Sequence, residues 1–161
     1  MKKNSNIWPN LIIPGAGRAG KMALCHYLDQ LDDVFIPDPT EPNFFSYISK
    51  KKDYTSPDRR FYENIITNID SYHQIYENSE SDTYRVDASG SYLVNANLTV
   101  EQIHNLIPKS NNIKIIILLR NPVIRTFSAY SHYVMNGFEM MTPKIAFSNE
   151  TIQNRLKKKW S

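Results

Sequence analysis

Gly15-Ala16-Gly17-Arg18-Ala19-Gly20-Lys21 sets two cations among three glycines near the amino terminus. Glycine permits a close backbone approach and positive φ, both of which an anion-binding turn needs. The apolar run Leu11 to Ile13 before it reads as a buried strand that breaks at Pro14. From about Ala19 the pattern turns helical, with Leu24, Tyr27, Leu28 and Leu31 spaced for one apolar face. Strand, glycine loop and helix together aim backbone N–H groups and a helix N-terminus at an anion, usually a phosphate. The expectation is a phosphate-binding loop at residues 14–22, in which Gly15, Ala16, Gly17, Arg18, Ala19, Gly20, Lys21 and Met22 contact the ligand.

Two registers of this loop lead to different chemistry. Read from Gly15, it is G-x-x-x-x-G-K followed by Met22. A nucleoside-triphosphate loop needs Ser or Thr after the lysine, because that hydroxyl ligates Mg²⁺. Met22 has none, and no aspartate ends the apolar run 113–119 to help hold the ion, which counts against a P-loop nucleotide kinase. Read from Arg18, Arg-Ala-Gly-Lys-Met-Ala-Leu resembles the 5′-phosphosulfate loop of sulfotransferases, Lys/Arg-Ser/Ala-Gly-Thr-Thr-Ser-Leu. Arg18, Gly20 and Leu24 match, while Lys21 and Met22 replace two threonines. A third reading is an ordinary glycine turn before a core helix.

The elements that would position such a loop fit one α/β domain spanning residues 1–161. Apolar residues make up 41% and charged residues 22%, ordinary for a globular chain. A net charge of +3 suits an anionic ligand but is too small to argue for nucleic acid. The lone cysteine, Cys25, excludes an intrachain disulfide and reads as a small buried filler. No apolar run reaches the length of a membrane span, and Met1 to Asn6 lacks the apolar core of a signal peptide. A cytoplasmic protein is the expectation, with the Golgi lumen an option only if an anchor lies outside this chain.

Along the chain, Asp33 to Pro37 reads as a short extended stretch, and Pro42 biases Glu41 out of helical backbone and onto a loop. The Lys50–Lys52 run reads as a solvated face, and Ser56-Pro57-Asp58 as a helix start ahead of Phe61, Ile65, Ile66 and Ile69. Thr99-Val100-Glu101-Gln102 has the spacing of another helix start, with Ile103, Leu106 and Ile107 as its apolar side. Ile113 to Leu119 is the clearest strand, apolar almost throughout, as a central parallel strand covered on both faces should be. Residues 152–160 read as a last helix.

Three further stretches extend the resemblance. Thr40-Glu41-Pro42-Asn43-Phe44-Phe45 looks like the Lys-Glu-Pro-His-Phe-Phe of glycan-modifying sulfotransferases, without its lysine and histidine. Tyr84 to Leu93 resembles the family's short strand ending in Glu/Asp-Ala/Lys-Ser-Pro-Ser-Tyr-Leu, with Gly90 in place of proline. Arg120-Asn121-Pro122-Val123-Ile124-Arg125-Thr126-Phe127-Ser128-Ala129-Tyr130 reproduces the 3′-phosphate signature Arg-Asn/Asp-Pro-Val-x-Arg-Ala-Tyr-Ser-x-Tyr at Arg120, Asn121, Pro122, Val123, Arg125, Ser128 and Tyr130. The match spans residues 9–137 through four short motifs.

The resemblance implies a P-loop-like three-layer α/β fold with a central parallel sheet between helices. It implies transfer of a sulfuryl group from 3′-phosphoadenosine 5′-phosphosulfate (PAPS) to a hydroxyl or amine, in a carbohydrate or another acceptor, leaving 3′,5′-ADP (PAP). No metal would be needed, because protein cations neutralise the leaving phosphate. Arg18 would hold the bridging and 5′-phosphate oxygens, Arg120 and Ser128 the 3′-phosphate, and Glu41 would be the general base. The further helices, strands and adenine-binding loop of family members are not recognisable before Ser161, so a minimal or truncated domain is expected. With both loop threonines replaced, a non-catalytic PAP- or PAPS-binding protein is the alternative.

Overall fold

The computed structural model describes residues 7–48, 63–79 and 83–159. The Lys50–Lys52 run, the expected helix start at Ser56 with Phe61, and Trp160 lie outside the described residues. The chain divides into two compact units, Met1–Arg120 and Asn121–Ser161.

Among the described residues, four short strands frame the first unit: β1 (Leu11–Ile12), β2 (Val34–Phe35), β3 (Tyr84–Asp87) and β4 (Lys114–Ile115). All pair in parallel, in the order β2-β3-β1-β4. Leu11 sits opposite Val86 on one side and Lys114 on the other. Pairing of β1 with β4 runs on beyond the strands, through Ile116 N–H to the Ile12 carbonyl (3.0 Å) and Leu118 N–H to the Pro14 carbonyl (3.0 Å). The chain leaves β1 toward β2, then crosses from β3 to the other side of β1 to enter β4. Where a parallel sheet changes direction in this way, a crevice opens at the carboxyl ends of the strands.

Alternation along the strands sorts the core into two layers. Leu11, Ile13, Val86 and Ala88 face one side and pack on Leu24, Cys25 and Leu28 of α1 (Lys21–Leu28). Ile12 and Phe35 face the other. There they meet Phe44 and Phe45 of α2 (Phe44–Tyr47), Tyr72 of α3 (Ile69–Gln74), Tyr92 of α4 (Ser91–Val94), and Ile103 and Leu106 of α5 (Ala96–Leu106). The unit is thus an α/β layered structure with a parallel sheet flanked by helices. Phe44 and Phe45 are fully buried, each contributing about 1.5–3 kcal/mol of apolar transfer.

Several expectations need correction. The run Ile113–Leu119 is an edge strand of this order and not a central one. Ile113 and Leu118 pack inward, whereas Ile115, Ile116, Ile117 and Leu119 are exposed. An unbroken apolar run signals a doubly covered strand only when something covers it, and periodicity alone does not reveal that. Tyr27 on α1 and Leu31 beyond its end are exposed, and the inner stripe of α1 is Lys21, Leu24, Cys25 and Leu28. Ile65 and Ile66 lie in irregular chain ahead of α3, where Ile66 N–H donates to the Pro42 carbonyl (2.9 Å). Thr99 is no helix start. It is buried within α5, its hydroxyl 3.1 Å from that of Ser46.

In the second unit, α6 (Pro122–Met135) opens as its sequence dictates. Pro122 takes a first-turn position, and the Asn121 side chain accepts from the N–H groups of Val123 and Ile124. Two helices follow, α7 (Pro143–Ala146) and α8 (Asn149–Lys159). Glu139 holds this unit together, accepting from Arg155 Nη2 (2.7 Å) and from Met141 N–H (2.9 Å). Phe127 and Tyr130 pack their rings on Phe147. Among the described residues no helix is long and apolar enough to cross a membrane.

Gly15 marks the closest approach between the loop after β1 and the β4 run. A Cβ there would lie 2.9 Å from the Leu118 carbonyl oxygen, where Ala16 N–H now donates. Gly15→Ala is therefore expected to cost about 1–3 kcal/mol of stability in urea unfolding. A neutral result would mean that the β1–β4 pairing ends before the loop.

Candidate functional site

The loop from Pro14 to Gly20 is shaped by two backbone demands. Gly15 permits the contact with Leu118 just described. Gly20, at φ 101°, takes a left-handed conformation that a side chain would strain, and from it α1 begins with no side chain capping its first turn. Arg18 is also left-handed, at φ 65°. For a residue with a Cβ this is uncommon, and such strain collects at ligand-binding loops. Gly17, Arg18 and Gly20 are exposed, and so is Met22.

Arg120 follows the β4 run, and its Nη1 donates to the Arg18 carbonyl oxygen at 3.1 Å. The Arg120 side chain and the Arg18 backbone thus meet at the carboxyl ends of neighbouring strands. The contact also holds the left-handed turn of the loop from outside.

Lys21 behaves unlike its neighbours. Its side chain is buried, and its ammonium lies 3.3 Å from Glu41 Oε1, a carboxylate that remains about one-third exposed at 34%. The Lys21 stem passes 3.3 Å from where a Gly15 Cβ would stand, and its Nζ 3.1 Å from that position at Gly90. The loop after β1, the loop after β2 and the turn after β3 converge on this ammonium.

Glu41 is carried by a short rigid segment. Ala88 N–H donates to the Thr40 carbonyl (3.2 Å), and the Asn43 side-chain amide donates to the Glu41 carbonyl (2.7 Å). Asn43 takes left-handed backbone at φ 55°, a conformation asparagine tolerates better than most residues. Its N–H donates to Ser89 Oγ (2.8 Å), and its side-chain oxygen accepts from Ser91 Oγ (2.7 Å).

Beneath this segment lies Asp87, fully buried at the end of β3. One carboxylate oxygen accepts from the hydroxyls of Tyr72 and Tyr92, each at 2.6 Å. The other accepts from Ser89 Oγ (2.5 Å) and Ser89 N–H (3.1 Å). Burial pushes the carboxyl above its ordinary value, and the four donors only partly offset this. Burial beside Asp87 likewise drives the Tyr72 and Tyr92 hydroxyls well above theirs, so they remain donors.

The structure therefore brings Gly15, Ala16, Gly17, Arg18, Ala19, Gly20, Lys21, Glu41 and Arg120 into one region of the first unit. Ser128 lies on α6, in the second unit. Sequence reasoning did not single out Asn43, Asp87 or Ser89 as site residues, and it marked Gly90 only as a departure from a motif. An aspartate closing a strand with serine two residues on is the signature of a side-chain-capped turn, and could have pointed to Asp87 and Ser89. Cys25 sits on the inner face of α1, where burial, reinforced by Glu41, pushes its thiol up to about 11. Comparisons with protein-family models, with curated proteins and with solved structures find no match.

Two outcomes follow. Cys25 should resist alkylation by iodoacetamide at neutral pH in the native protein and react only on unfolding. Rapid native labelling would contradict its placement. Asp87→Asn should destabilise the protein by about 1–3 kcal/mol, since two tyrosine donors would then face an amide. The native carboxyl titrates above the unfolded value of 3.8, so the native state keeps a proton that the unfolded chain has released. Its stabilising contribution is full below that value and is lost as pH rises through the native titration. The destabilisation by Asp87→Asn should accordingly shrink as pH rises from about 4 in urea-unfolding curves. A gap that widens with pH would contradict this assignment.

Proposed function

We propose that this chain binds PAPS at the loop after β1 and transfers its sulfuryl group to a hydroxyl or amine, a carbohydrate being the favoured acceptor. The reading rests on one observation above all: the Arg120 guanidinium donates to the backbone of Arg18, so two segments whose sequence motifs resemble a 5′- and a 3′-phosphate site touch at the ends of neighbouring strands. The fold beneath it, read as P-loop-like, supplies the exposed loop and an uncapped helix start to receive the 5′-phosphosulfate. In the reaction the acceptor oxygen or nitrogen attacks sulfur from the side opposite the leaving group. The bond from sulfur to the bridging oxygen breaks, and its electron pair stays on the 5′-phosphate of 3′,5′-ADP, neutralised by Arg18 and by the loop N–H groups. Glu41 takes the acceptor proton. Arg120 holds the 3′-phosphate, and no metal takes part.

A second reading, a PAP-binding protein without transfer, is favoured by Lys21 alone, whose ammonium is committed to Glu41 and not directed to the loop exterior. Calorimetry should show 3′,5′-ADP binding with no comparable heat from ATP and Mg²⁺, and Arg120→Ala should weaken that binding about 10–100-fold. Binding of ATP with Mg²⁺ in place of 3′,5′-ADP would replace this reading with the kinase one. Transfer of radiolabelled sulfate to a glycan panel should then fall about 10²–10⁴-fold in Glu41→Gln. Absence of transfer by the native chain, with 3′,5′-ADP still bound, would leave the binding protein.

A further inference from the structure

From the packing around its side chain, we infer that Lys21 is the positioning residue of Glu41 and not a phosphate ligand, and that Gly90 is the gap that admits it. The role in transfer rests on the reading of Glu41 given above; the packing does not. Lys21 opens α1 at the edge of the loop, yet its side chain is 6% exposed, against 57% for Met22 beside it. The aliphatic stem is confined by Gly15, and the ammonium stops between Glu41 and the turn after β3. A buried ammonium needs a counter-charge, and the one in contact is Glu41 Oε1. The contact fixes one carboxylate oxygen, while the residue as a whole stays about one-third open to solvent. A carboxylate held at one oxygen by a buried cation has fewer orientations toward an acceptor than a free loop glutamate.

Gly90 shows that this arrangement has a steric condition. Its backbone, at φ −70° and ψ −31°, is one any residue adopts, so nothing in its conformation calls for glycine. What a Cβ would meet is Lys21 Nζ at 3.1 Å, with Glu41 Oε2 at 3.8 Å. The glycine is there for the ammonium.

The test needs no transfer activity in its first part. Gly90→Ala should lower the melting temperature in the native background and raise it in Lys21→Met, where the ammonium is gone and alanine suits the helical backbone. A Gly90→Ala effect of the same sign in both backgrounds overturns the inference. In the second part, Lys21→Met should leave 3′,5′-ADP affinity within about twofold while lowering turnover at saturating donor by at least about tenfold. A tenfold loss of affinity would make Lys21 a phosphate ligand and overturn the inference. Wild-type protein that does not bind 3′,5′-ADP defeats the nucleotide reading, and the role in transfer with it. The melting cycle would then still decide whether Gly90 makes room for the pair.

Discussion

A carboxylate with no access to water fixes the geometry of the carboxyl-terminal edge of the sheet. Asp87 must either be paired or be expelled, because an uncompensated buried charge is too costly to keep. The fold supplies four donors from three segments, α3, α4 and the turn at Ser89, and each is held in place by the bond it gives. Ser89 passes the constraint on, accepting from Asn43 N–H, and Asn43 in turn fixes the carbonyl of Glu41. The position of Glu41 is therefore set from beneath by a residue it never touches.

The loop after β1 is held by different means. Gly15 ties its start to Leu118, Arg120 grips the carbonyl of Arg18, and Lys21 anchors its end to Glu41. The loop after β1, the end of the β4 run and the segment carrying Glu41 are thereby tied to one another. Lys21 and Gly90, two positions at which the sequence departs from the sulfotransferase pattern it resembles, lie against each other. A change at one is accommodated by the other.

Much of the scaffold was legible in the residues. The strand–glycine–helix grammar gave β1 and α1, Pro122 marked the start of α6, and the likeness of Tyr84–Leu93 to a family strand motif marked β3. What could not be read was direction and cover. Leu24, Tyr27, Leu28 and Leu31 form a plausible stripe on paper, but the sheet meets α1 along Leu24, Cys25 and Leu28, while Tyr27 and Leu31 are exposed. The edge position of β4 depends on strand order, which no local pattern encodes. At the site, the charged residues announced themselves by type, whereas Asn43 and Ser89 act through hydrogen bonds to chain 46 residues away. Such contacts leave no periodic trace.

The central claim is that the glycine loop and the strand-end arginine serve one nucleotide, and amide NMR tests it most directly. Titration of isotopically labelled protein with 3′,5′-ADP should shift the backbone signals of Gly17 to Met22 together with the side-chain Nε–H of Arg120, along a single saturable curve. Shifts confined to one of these groups, or scattered over residues remote from both, would contradict it.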